Sequence, residues 1–168
     1  MAQKNFAVIL LGANLGDKEA MFAIVENHIS NHIGTCIKKS AIYTSKAWGF
    51  ESNDIFYNQV LIVETEYSAH DTLLRCQAIE NKCGRVRHET NGYESRTIDI
   101  DILYFNNDIV DADDLTIPHP LLHKRKFALV PLCEVLPEYI HPILLVSNQT
   151  LLATCDDNST VEQLISHK

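Results

Sequence analysis

Apolar positions recur along this chain with two different periods, and the switches between them mark its elements. Residues 6–11 are continuously apolar and stop at Gly12, the pattern of a short buried strand. Asp17 follows as an N-cap, and Phe22, Val25 and Ile29 recur at helical spacing, which predicts a helix ending near Gly34. Residues 36–45 carry β-branched and aromatic side chains and read as a second strand. Residues 48–54 form a polar loop, and residues 56–64 form a third strand whose run Val60-Leu-Ile-Val63 is apolar on both faces. Ser68-x-x-Asp71 has the form of a capping box with Asp in place of Glu. Behind it Leu73, Cys76, Ile79 and Cys83 make one apolar stripe, and Gly84 stands at the C′ position. Residues 85–95 are polar and basic with no periodicity, and a loop that long inside a compact chain is usually functional or disordered. Residues 97–105 are the clearest strand in the sequence, the fourth, which Asn106-Asn107-Asp108 turns back as a hairpin. Pro118 and Pro120 stiffen a connection into an apolar helix over residues 127–136. Beyond His141 the expectation is a short hairpin and a terminal helix capped at Ser159 or Thr160.

The resulting order, β-α-β-β-α-β followed by C-terminal additions, is the split βαβ or ferredoxin-like arrangement. The fold class is therefore α+β, with helices on one face of a mostly antiparallel sheet. No linker, repeat or low-complexity tract interrupts residues 1–168, which read as one domain.

Composition narrows the function. A formal charge of −8 argues against nonspecific nucleic-acid binding, which needs a positive surface to release counterions. The five cysteines are odd in number and contain no C-x-x-C pair, which fits small core thiols in a reducing compartment. Residues 1–5 lead directly into a strand, without a basic segment and cleavable apolar stretch, and no apolar run approaches the ~20 residues of a membrane span. The expectation is a cytoplasmic protein with neither membrane nor nucleic-acid partners.

The alternating strand carries the chemistry. In Thr97-Ile-Asp-Ile-Asp-Ile-Leu103, Ile98, Ile100 and Ile102 point to one face and Asp99 and Asp101 to the other. Side chains two apart on a strand lie roughly 6–7 Å from each other, so two carboxylates can hold a hard cation between them or share a pair. Alternation alone equally describes a sheet with one solvated face. The neighbours favour metal and phosphate: Arg85, Arg87, His88 and Arg96 surround the loop entering this strand, and Lys124 and Arg125 follow beside His119 and His123. The segment Gly12-Ala-Asn-Leu-Gly-Asp17 sits where phosphate loops often lie but has neither glycine-rich phosphate spacing. It reads as a tight connection or as backbone approached by a ligand. Phe56 and Phe127 read by default as core, Asn58 as a buried amide in need of partners, and Glu80 as a surface acid. A two-metal nucleotidyltransferase and a non-catalytic binding module on the same scaffold remain alternatives. The Gly-Ser turn that nucleotidyltransferases generally carry before their acids is absent here, and a binding module needs no paired acids beside arginines.

Taken in order, Gly12-Ala-Asn-Leu-Gly-Asp17, Phe56-Tyr-Asn58, Glu80, Gly84-Arg-Val-Arg87, Arg96-Thr-Ile-Asp-Ile-Asp-Ile102, Pro118-His119, Arg125 and Phe127 resemble the 6-hydroxymethyl-7,8-dihydropterin pyrophosphokinase family over about residues 6–140. The resemblance implies transfer of the β,γ-diphosphate of ATP to the pterin hydroxymethyl group, releasing AMP, in folate biosynthesis, by a monomer. It implies two Mg²⁺ on Asp99 and Asp101, and a pterin site of Ser45, the Trp48 region, Phe56, Asn58 and Phe127. It also implies an ATP site of Gln77, Glu80, Arg87, Ile102, Thr116, His119 and Arg125, with Arg85 and Arg96 positioning the phosphates. The loops 48–54 and 85–95 would then act as lids. Departures from the family pattern are Ala13 for a usual Ser, Lys46-Ala47 after Ser45, Glu94-Ser95 before Arg96, and Asp114 where a basic residue is sometimes seen.

Overall fold

The computed structural model describes residues 3–46, 54–84 and 98–165. Strand β1 (Asn5–Ala13) is followed by helix α1 (Lys18–His32), strands β2 (Gly34–Lys39), β3 (Tyr43–Lys46) and β4 (Ile55–Thr65), helix α2 (Ala69–Lys82) and strand β5 (Asp99–Phe105). The additions are strands β6 (Val110–Asp111) and β7 (Thr116–Ile117), helices α3 (Lys126–Val135) and α4 (Asn148–Ala153), and strand β8 (Glu162–Gln163). The main sheet has the order β5-β1-β4-β3-β8, with β2 also on β4, and every pairing is antiparallel. This is the expected ferredoxin-like α+β core with its second strand divided.

Both caps read from the sequence are present. Asp17 accepts the Ala20 N–H at 3.1 Å and Ser68 accepts the Asp71 N–H at 3.1 Å, each satisfying an amide that the first turn leaves unpaired. Gly84 takes a φ of 88° after α2, the left-handed conformation expected of a C′ glycine.

The sheet separates two cores. Ala7, Ile9, Leu11, Leu61, Val63, Ile98, Ile100 and Ile102 meet Phe22, Val25 and Ile29 of α1 and Cys76 and Ile79 of α2. On the opposite face Val8, Leu10, Val60 and Ile62 meet Ala128, Leu129, Leu132 and Val135 of α3 and Leu151 of α4. Helices thus cover both faces rather than one, because the C-terminal additions bury the second apolar face that a strand such as Val60–Val63 presents.

Three further expectations are corrected. Residues 36–45 are not one strand: Ser40 interrupts them, its hydroxyl accepting the Val60 N–H at 2.9 Å where a continuous ladder would place a backbone carbonyl. Asn106, with φ 51°, does turn the chain, but the hairpin that follows is β6 with β7 and not a return along β5. Among the described residues the expected terminal helix does not form; residues 162–163 instead pair with β3, whose edge offers a ready ladder. None of the five cysteines is in a disulfide, and Cys76 is buried in the core. Among the described residues no helix is long and apolar enough to cross a membrane.

Candidate active site

At one end of the sheet, on the α3 face, the chain leaves a cavity lined by Leu10 and Gly12 of β1, Ser45 and Lys46 of β3, Phe56 and Asn58 of β4, Asp99 and Asp101 of β5, and Arg125 and Phe127 at the start of α3. Strand register brings these side chains together. Gly12 pairs with Asn58 on one side and with Asp99 on the other, Leu10 pairs with Asp101, and Ser45 pairs with Phe56. Because side chains two apart share a face, Leu10 and Gly12, Phe56 and Asn58, and Asp99 and Asp101 all turn to α3. Gly12 contributes no side chain, so the floor between Asn58 and the two acids stays open.

Asn58 is 2% exposed, and its Nδ2 donates to Ser45 Oγ at 2.8 Å. That bond fixes which way the amide points: its Oδ1 is the nearest atom to a Cβ built on Gly12, at 3.7 Å, and so lies over the cavity floor. The Arg125 guanidinium lies 5.6 Å from the Phe127 ring centroid, placing a cation beside the aromatic wall.

The three acids in this region differ in use. Asp99 and Asp101 are half-buried and line the cavity. Glu80, expected on the surface, is 4% exposed, and its Oε2 accepts the Ile100 N–H at 2.9 Å. The correction has a plain cause: α2 packs against β5, so the residue next to Ile79 meets the strand's outer edge and satisfies an amide that no neighbouring strand reaches. Glu80 therefore holds the backbone between the two cavity acids.

The remaining expected site residues are not among those that line this cavity. Gln77 is half-buried on α2, and the Ile102 side chain lies in the α1/α2 core. Thr116 is exposed on β7. His119 donates its backbone N–H to Leu103 O at 3.0 Å, and its Nδ1 accepts the Leu121 N–H at 3.2 Å. Burial first, and then the charge of Arg125, lower its pKa to about 4, so the ring is neutral at physiological pH. Trp48, Arg85, Arg87 and Arg96, and the two loops expected to act as lids apart from Asp54, lie outside the described residues. Lys46, a departure from the family pattern in sequence, also lines the cavity; its place directly after Ser45 at a strand end is the signal for it. In the glycine segment Gly16 (φ 66°) serves the turn, as the tight-connection reading expects, and Gly12 borders the cavity.

The comparisons decide the family. Residues 8–137 match the family described as 7,8-dihydro-6-hydroxymethylpterin-pyrophosphokinase (HPPK). The chain belongs to the HPPK family. It is 37% identical to 2-amino-4-hydroxy-6-hydroxymethyldihydropteridine pyrophosphokinase of Methylorubrum extorquens, over 80% of this chain and 84% of that one. It is 37% identical to the protein of the same name from Aquifex aeolicus, over 79% of this chain and 81% of that one. It is also 35% identical to folic acid synthesis protein FOL1 of Dictyostelium discoideum, over 97% of this chain but only 24% of that one. Among solved structures, wild-type HPPK-DHPS of Plasmodium falciparum with pteroate superposes at a TM-score of 0.72 and 16% identity, over 90% of this chain and 44% of that one. At that identity the likeness speaks for the HPPK fold. The chain thus spans about a quarter of the Dictyostelium relative and under half of the Plasmodium one.

Proposed function

We propose that this chain transfers the diphosphate of ATP to the hydroxymethyl group of 6-hydroxymethyl-7,8-dihydropterin and releases AMP, a step of folate biosynthesis. The observation that carries this reading, in a chain of the HPPK family, is the convergence of Asp99, Asp101, Arg125, Asn58, Phe56 and Phe127 on one cavity.

Each wall has a task that its chemistry suits. Phe56 and Phe127 bound the cavity from β4 and from α3, and a flat heterocycle between them loses its hydration against apolar faces. Asn58, held by Ser45, presents an amide oxygen to a ring N–H, and a site built around a buried amide rejects rings that cannot pair with it. Arg125 lines the cavity, and it is assigned to ATP together with His119, Gln77, Glu80, Ile102 and Thr116 by position in the family pattern. Arg85, Arg87 and Arg96 are assigned to its phosphates on the same ground.

Asp99 and Asp101 suit Mg²⁺: two carboxylates on one face beside a side-chain-free glycine leave room for the phosphate oxygens and waters that this ion prefers to an all-protein cage. Bound there, Mg²⁺ would supply charge neutralisation to the phosphates and lower the pKa of the attacking hydroxyl. What the protein itself contributes is alignment and exclusion of water, which supply most of the effect in phosphoryl-type transfers.

The test is AMP formation from ATP, Mg²⁺ and the hydroxymethyl pterin. The wild type is expected to release AMP, and Asp99→Ala and Asp101→Ala to fold normally while losing at least about a hundredfold in turnover. Pyrophosphate as the released product would indicate nucleotidyl transfer instead. Binding of both substrates without any turnover would indicate a binding module.

A further inference from the structure

Helix α3, which brings Arg125 and Phe127 to the cavity, begins without a cap of its own. Arg125 occupies the N-cap position and makes no side-chain bond to the first turn. Pro131, inside the helix, has no N–H to give to the carbonyl four residues back, which is that of Phe127. Both deficits fall on the one turn that must hold its place for the site.

The missing cap comes from 31 residues further along the chain. Asp157 Oδ2 accepts the Lys126 N–H at 3.1 Å, while its Oδ1 accepts the Ser159 N–H at 2.9 Å. Burial alone would raise the pKa of this carboxyl; the bonds from Ser159 and Lys126, with the Lys126 charge, outweigh it and hold the pKa below its ordinary value. From Ser159 the tail runs on to the outer edge of the strand that carries Ser45. Thr44 pairs with Glu162 and Tyr43 with Gln163, Leu164 N–H donates to Ile42 O at 2.8 Å, and Thr44 Oγ1 donates to Glu162 O at 3.3 Å. The other end of α3 is tied to the same side of the sheet. Glu134 accepts the Tyr43 hydroxyl and the Ala41 N–H, each at 2.7 Å, and Lys38 Nζ donates to Val135 O at 3.2 Å. The family match ends at residue 137, so this tail lies beyond the segment that defines the family.

We propose that residues 155–165 form a strap in which Asp157 is a positioning residue: by capping α3 from the tail it holds Phe127 and Arg125 across the cavity from Phe56 and Asn58, and so sets affinity for the pterin. This rests on the pterin reading of the cavity. Asp157 touches no substrate in this arrangement; it acts through the Lys126 amide.

The experiment compares the full chain with Asp157→Ala and Asp157→Asn by three measurements: amide hydrogen exchange at residues 126–129, equilibrium binding of the hydroxymethyl pterin with an ATP analogue present, and steady-state kinetics. In Asp157→Ala, exchange at these amides should speed up while that of α1 and α2 stays as in the wild type. The pterin Kd and KM should rise about five- to tenfold, with kcat within about twofold. Asp157→Asn replaces two carboxylate acceptors by one amide oxygen and should fall between, at about two- to threefold. Wild-type exchange and wild-type pterin KM in a folded Asp157→Ala overturn the proposal. So does a loss of kcat that tracks the unfolded fraction at constant KM, since that is stability alone. Should Asp157→Ala not fold, Asp157→Asn decides: wild-type KM and exchange there overturn the strap. A wild type that neither binds the pterin nor releases AMP would refute the functional reading, while exchange at residues 126–129 would still test the cap itself.

Discussion

Glu80 and Ile79 are neighbours on α2, and nothing in their spacing says which of them meets β5. Helical periodicity identifies the apolar stripe, so Ile79 was legible as core; an acid at its margin was not, because its partner is a backbone amide supplied by a distant strand. The consequence is measurable. Glu80→Ala leaves the Ile100 N–H unpaired in a buried setting and should cost roughly 1–3 kcal/mol in urea unfolding, whereas Glu80→Gln keeps an acceptor oxygen and should cost less. Equal losses for the two variants would show that the bond is unimportant. Asp99 and Asp101 were legible to the face, since period two is insensitive to what the strand packs against. His119 adds a dependence on pH. An imidazole in the unfolded chain titrates near 6.5, and in the fold its pKa is about 4. Its neutral form therefore contributes stability that is fully present above about pH 6.5 and is lost as pH falls through about 4. Unfolding free energies at a series of pH values should fall across that window, and His119→Asn should flatten part of the fall; an unchanged slope would sink the assignment.

At the scale of elements, the errors cluster where a polar side chain takes over a backbone role. Ser40 supplies a hydroxyl to Val60 and splits what its β-branched neighbours mark as one strand. Ser159 and Thr160, which read as helix caps, lie instead in a tail that pairs with β3, and the choice between helix and edge ladder depends on an edge the local sequence does not contain. Strand β5 departs from strict alternation too. A bulge at Leu103 lets Ile102 pair with Ile9 and Tyr104 with Val8, so Tyr104 faces the α3 core and Phe105 the α1/α2 core. The extra residue packs in the core, and its carbonyl takes the His119 N–H, joining the strand of the acids to the segment carrying that histidine. The start of β2 offers a sharper test of the packing. A methyl group on Gly34 would overlap the Glu64 carbonyl oxygen across the ladder. Gly34→Ala should therefore destabilise by about 1–3 kcal/mol, while AMP release per folded molecule, measured at low temperature, stays near wild type because the cavity lies at the other end of the sheet.

For the molecule as a whole, the order of elements and the antiparallel sheet followed from periodicity, whereas the two-sided cover did not. An apolar run such as Val60–Val63 announces burial on both faces, but it does not name what buries the second. The same holds for the cavity: Phe56 and Phe127 read as core from their surroundings, and only the ordered likeness to a family set them as two walls of one site. If Mg²⁺ binds only with nucleotide, a chelator should abolish AMP release and leave the melting temperature unchanged, with activity restored by added Mg²⁺. A fall in melting temperature on chelation would instead reveal a structural ion. The two cores also imply an order in time. During synthesis Phe56, Asn58, Asp99 and Asp101 leave the ribosome before Arg125 and Phe127, and Asp157 later still, so the sheet side of the cavity is made first and the α3 side must close on it. A nascent chain stalled after β7 would carry Phe56, Asn58 and both aspartates but nothing from α3 to close over them; on the strap proposal, the grip on a heterocycle waits for Asp157 to emerge.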